Sequence, residues 1–76
     1  MKLKIEDQIR KAAYEKGFPE RVIRADLAKK LWPDSGQHAQ YQSLRNLLIG
    51  KTSLTLDRLD LIREYFDCRY EDLIEI

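Results

Sequence analysis

The sequence predicts an all-α fold of four to five short helices with a helix-turn-helix at its centre. Three observations carry that expectation. Glycine and proline are scarce, three and two in 76 residues, so few points interrupt a helix. Apolar residues recur at three- and four-residue spacings along most of the chain, the period of a helix with one buried face. The central stretch 24–51, RADLAKKLWPDSGQHAQYQSLRNLLIGK, holds two such segments separated by a turn with Pro33 and Gly36. Its first segment places Leu27, Ala28 and Leu31 on one face. Its second places Leu44, Leu47 and Leu48 on one stripe and Gln42, Arg45 and Asn46 opposite. Two short helices across a tight turn, with amide and guanidinium groups displayed on the second, suit sequence-specific reading of duplex DNA.

The elements follow in order. Residues 4–16 read as the first helix, with Ile5, Ile9, Ala12 and Ala13 on its buried side. Gly17 stands where a left-handed cap ends it, Phe18 supplies an apolar closing contact, and Pro19 prevents continuation. FPERVI is a connector or an extra helical turn, pinned by Val22 and Ile23. The second helix covers about 24–32 with no standard cap side chain ahead of it, and stops at Pro33, which has no N–H to donate. Asp34 or Ser35 can cap the third, 36–49, which Gly50 terminates. Thr55 or Ser53 caps a fourth, with Asp57 favourable at its positive dipole end. Leu56, Leu59, Ile62 and Phe66 form its expected buried stripe. A turn at Asp67 and Cys68 leads to a last short helix, 70–73, and an apolar tail.

Composition narrows the function classes. Seventy-six residues make one small domain, 1–76, near the lower limit for a self-sufficient core. One cysteine and one histidine leave no intrachain disulfide and no tetrahedral zinc site, so no metal or other cofactor is expected. No apolar run approaches the roughly 20 residues of a membrane span, and the start MKLKIEDQ has no signal-peptide core. A cytoplasmic, nucleoid-associated protein with no small-molecule substrate fits these facts. The net charge is only +1, but it is unevenly spread. Residues 1–51 carry eleven Lys and Arg against six Asp and Glu, a net of +5. Residues 52–76 carry three against seven, a net of −4. The basic part contains the candidate helix-turn-helix, and the acidic part can face away from a polyanion.

The residues Leu27-Ala28-Lys29-Lys30-Leu31, then 44–48, Gly50-Lys51-Thr52 and the closing run LDLIREYFDCRYEDL resemble the Cro/phage-repressor (XRE-like) helix-turn-helix family. The likeness spans about 24–73 and implies a lambda-repressor-like domain, a phage- or prophage-type repressor regulating transcription. It departs from the family in the interval between the two helices. Trp32-Pro33-Asp34-Ser35-Gly36 lengthens that interval by between one and two helical turns' worth of residues. A second extension separates Gly17 from Leu27. The resemblance places Tyr41, Gln42, Ser43, Arg45 and Asn46 toward the major groove. It puts Arg24 at the start of the supporting helix, and Lys51 and Thr52 in the following loop, against phosphates. Helical projection with Leu44, Leu47 and Leu48 buried agrees on Gln42, Arg45 and Asn46 and adds His38, with Tyr41 and Ser43 on the flanks.

The chemistry suits the residues. Arginine can bond bidentately to guanine O6 and N7, and Gln or Asn to adenine N6 and N7. Arg24 and Lys51 on phosphates would supply affinity and register without sequence information. Bland readings exist for several of these groups. His38 can simply occupy a helix end, Arg45 can be a solvated surface residue, Trp32 reads as core or a hinge plug, and Cys68 as buried and inert. No catalytic function is expected. Gly50-Lys51-Thr52 echoes only the end of a phosphate loop, and His38, Cys68 and the acids show no triad spacing. The rival is a protein-interaction module that dimerises or binds a partner without reading DNA. The near-neutral charge and the apolar Ile49, Ile74 and Ile76 favour it. A homodimer on a two-fold operator is the expected assembly, with Leu73, Ile74 and Ile76 as its candidate contact.

Overall fold

Four helices carry most of the chain, as expected, and a two-stranded ribbon fastens its ends. The computed structural model describes residues 2–75. In order come β1 (Lys2–Leu3), α1 (Ile5–Lys16), α2 (Glu20–Leu31), α3 (Gln37–Leu48), α4 (Leu56–Phe66), a 3-10 turn (Tyr70–Asp72) and β2 (Ile74–Glu75). The strands pair antiparallel, Lys2 opposite Glu75 and Leu3 opposite Ile74. The Lys4 N–H extends the pairing by donating to the Leu73 carbonyl at 2.7 Å.

The core draws on every helix. Ile5, Ile9 and Ala13 of α1 meet Ile23, Leu27, Ala28 and Leu31 of α2, Leu44 and Leu47 of α3, Leu59 and Ile62 of α4, and Leu73. Leu48, Phe66, Ala12 and Trp32 pack against this set half-buried. Leu56 departs from the expected stripe and is 77% exposed. The cause is geometric, because steps of three residues drift by about 60° each and leave Leu56 about 120° around the helix from Ile62. The tail also differs. Leu73 is wholly buried and Ile74 is half-buried in the ribbon, so neither is a free apolar contact for a second copy, and Ile76 lies outside the described residues.

Element boundaries moved where proline and glycine set them. FPERVI contains the first turn of α2, which begins at Glu20 rather than at Arg24. Pro19 holds the N-cap with ψ 150, a place where its missing N–H costs nothing. Ile23 then points into the core, whereas Val22 and Phe18 stay exposed. At α3 the N-cap is Gly36, so neither Asp34 nor Ser35 caps the helix. Gly50 ends the same element at φ 85, a left-handed conformation that favours glycine.

The fourth helix has a side-chain cap. The Thr55 hydroxyl accepts the Arg58 N–H at 3.3 Å, and Ser53 plays no part in it. Thr55→Ala should therefore lose about 1 kcal/mol of stability. Chemical denaturation should show a lower midpoint at unchanged slope, and Ser53→Ala should leave the midpoint where it is.

Beyond α4 the chain is held by polar contacts rather than by a further helix of ordinary length. The Arg69 N–H donates to the Asp72 carboxylate at 3.1 Å. The Tyr70 hydroxyl donates to Asp60, and the Arg63 guanidinium lies 5.2 Å from the Tyr70 ring centre. These contacts bring Leu73 down onto the core and deliver the chain to β2.

Candidate nucleic-acid interface

The packing of α3 decides what it displays. Leu44 and Leu47 are buried, which turns the opposite side of the helix to solvent. At about 100° per residue, His38, Gln42 and Arg45 fall within an arc of about 60° on that side. All three are exposed. Tyr41, 54% exposed, lies at the edge of the arc nearer α2. Asn46 is half-buried at the other edge, and Ser43, also half-buried, lies about 100° around from Gln42. Among the described residues, the side chains of His38, Gln42 and Arg45 make no hydrogen bond or ion pair with the rest of the chain.

An open groove of 330 Å³ runs between α2 and the first half of α3. Ala25 and Ala28 form one wall, and Gln37, His38, Gln40 and Tyr41 the other. Small side chains on α2 keep the groove clear. Arg21 and Arg24 share the Ala28 side of α2, within about 60° by the same projection. Arg24 therefore sits in the second turn of α2 rather than at its start, where the family resemblance had put it. Its guanidinium is 3.7 Å from the Glu20 carboxylate. A surface pair of this kind is worth at most about 1 kcal/mol, so the guanidinium is readily released to a stronger anion.

At the far end of α3 the loop folds back on the helix. The N–H groups of Lys51 and Thr52 both reach the Asn46 carbonyl, at 2.9 and 3.3 Å. The backbone is thereby fixed while both side chains stay exposed, and Lys51 has no ion-pair partner among the described residues. The near end of α3 is bare of acids: its first turn has none, and no side chain caps it. Its free N–H groups and positive dipole end are thus uncompensated.

Several residues that shape this region went unread in the sequence. Arg21, which the sequence places in the connector FPERVI, falls on the same side of α2 as Arg24. Gln40 donates through Nε2 to the Trp32 carbonyl at 2.9 Å. Arg58, far along the chain, lies with its guanidinium carbon 5.1 Å from the Trp32 ring centre. Helical periodicity signals burial but not such polar contacts, and no local pattern marks them.

Away from this face, Cys68 packs against the core but is half-buried rather than buried. It lines a hollow with Gln8, Lys11, Glu15, Asp67, Arg69 and Asp72. Burial, with help from the Asp72 carboxylate, pushes its thiol pKa up, which keeps it a poor nucleophile at neutral pH. Burial, and the Asp26 carboxylate, likewise raise the Tyr65 phenol. Among the described residues no group of three or more His, Cys, Asp or Glu side chains is placed to hold a metal ion. No helix is long and apolar enough to cross a membrane. Compared with protein-family models, curated proteins and solved structures, the chain matches none.

Proposed function

We propose that this chain is a non-enzymatic, sequence-specific binder of double-stranded DNA, a lambda-repressor-like helix-turn-helix regulator of transcription acting on the nucleoid. In this reading α3 enters the major groove and α2 crosses the backbone above it. The observation that carries it is the arc His38, Gln42 and Arg45, exposed on α3 and without side-chain partners among the described residues, beside an open groove between α2 and α3. Polar groups capable of bidentate hydrogen bonds, left without partners on one face, are what base-edge recognition requires. Arg45 would take guanine, Gln42 adenine, and Tyr41, Asn46 and Ser43 the flanking positions. Lys51, Thr52, Arg24 and the bare first turn of α3 would hold phosphates and fix the register. The charge asymmetry adds to this, since the basic part of the chain supplies all of these groups but Thr52.

A homodimer would double the few base pairs that one helix can read and match a two-fold site. The rival reading, a partner-binding module, draws on Ile49, which is 58% exposed at the end of α3. Salt separates the two. Fluorescence anisotropy with random duplex should show affinity falling steeply as salt rises, with a log–log slope near about −3 if each chain neutralises three or so phosphates. Sedimentation of the complex on a selected site should give two chains per duplex. Affinity independent of salt, or no binding at low salt, would leave the partner-binding reading in possession.

A further inference from the structure

The interval between α2 and α3 is long for such a unit, which ordinarily uses a turn of about 3–4 residues. Here five residues, 32–36, intervene, two of them Pro33 and Gly36. A longer connection of this kind, left to itself, would let α3 swing relative to α2. Three contacts oppose that, and all converge on Trp32. Its carbonyl accepts the Ser35 N–H at 3.2 Å, closing the turn on itself. The same carbonyl accepts Gln40 Nε2 at 2.9 Å, tying the turn to the first half of α3. Its half-buried ring lies against the Arg58 guanidinium at 5.1 Å, tying the turn to the first turn of α4. The backbone of Arg58 is itself anchored, because its N–H is the one that Thr55 caps. Three helices are thus referenced to one residue.

We infer that Gln40 and Arg58 are positioning residues for DNA readout: through Trp32 they set the register in which α3 presents Gln42 and Arg45 to base edges. The inference rests on the DNA-binding reading. Gln40 lies on the inward side of α3, about 160° around the helix from Gln42, and so touches no base itself. A base-edge hydrogen bond tolerates little displacement, whereas a phosphate contact by a flexible Lys or Arg tolerates much. Loss of the brace should therefore blur sequence preference while leaving non-specific attraction intact.

Two substitutions test this in the whole chain. Gln40→Met keeps length and bulk but removes the donor, and Arg58→Lys keeps the charge but removes the planar face. Each variant is titrated with the site selected by the unaltered protein and with random duplex. The preference for the selected site should fall by about fivefold or more, the equivalent of one weakened base contact. Random-duplex affinity and its salt slope should stay within twofold of the unaltered protein's values, as a folded domain with intact phosphate contacts requires. An unchanged preference in both variants overturns the inference and leaves the DNA reading standing. Parallel loss of both affinities overturns it too, since that would signal damage to the fold. If the unaltered protein shows no preference among sequences, the DNA reading falls. The brace is then judged by amide NMR shifts without DNA: movement of residues 37–46 in both variants supports it, and their immobility overturns it.

Discussion

Ile62→Ala should shift the thermal transition of this chain down by about 8–40 °C, or remove a cooperative transition altogether. Ile62 is fully buried in the middle of α4, in the core cluster shared by all four helices. Truncating a buried Ile to Ala costs about 2–5 kcal/mol, from lost transfer energy and the cavity left behind. Each kcal/mol moves the midpoint by about 4–8 °C in a domain of this size. Total stability at about 0.05–0.15 kcal/mol per residue gives roughly 4–11 kcal/mol to lose from. Leu56→Ala, on the same helix, should be close to neutral because Leu56 already faces solvent. Circular dichroism melts of the two variants decide the matter: an unmoved midpoint for Ile62→Ala would show that the core is wrongly placed.

The second large effect concerns recognition. Gln42→Ala and Arg45→Ala should each weaken binding to a selected duplex by about 1–3 kcal/mol and relax preference at one position. Lys51→Ala should act differently, weakening all sequences alike and reducing the salt slope by about one. Gln42 is the sharper probe, because an uncharged side chain cannot act through bulk electrostatics. If both substitutions leave the selected site unchanged, base contact has passed to Gln37 and His38, which sit nearer the groove between α2 and α3.

What was legible in the chain was its helical periodicity. Leu44 and Leu47 alone suffice to turn Gln42 and Arg45 outward, because a helix with one buried face leaves no other choice. Caps were partly legible. Thr55 and Gly50 act where their chemistry suggests, whereas Asp34 and Ser35 do not, since the Ser35 N–H is drawn to Trp32 and Gly36 becomes the cap. Pro19 stands beyond the end of α1, where its chemistry places it, and also opens α2, a placement its fixed φ allows as readily. Leu73 and Ile74 read as a loose apolar tail because a two-residue strand has no periodicity to detect. The partner of Ile74, Leu3, stands roughly 70 residues away in the sequence, as does Lys4, whose N–H donates to the Leu73 carbonyl. The contacts around Trp32 were invisible for a related reason: Gln40 and Arg58 meet it only once three helices have packed.

The ribbon of β1 and β2 also bears on the topology of the molecule. Paired strands lie about 5 Å apart, so Lys2 and Glu75 can be bridged by a linker of a few residues. A circular permutant could join them and open the chain instead in the exposed stretch 51–53, between α3 and α4. New ends would then emerge beside Lys51, next to the face proposed for DNA, whereas Lys2 and Glu75 pair at the ribbon. Labels attached at positions 2 and 75 should accordingly lie side by side, which places two probes at a single point of the molecule.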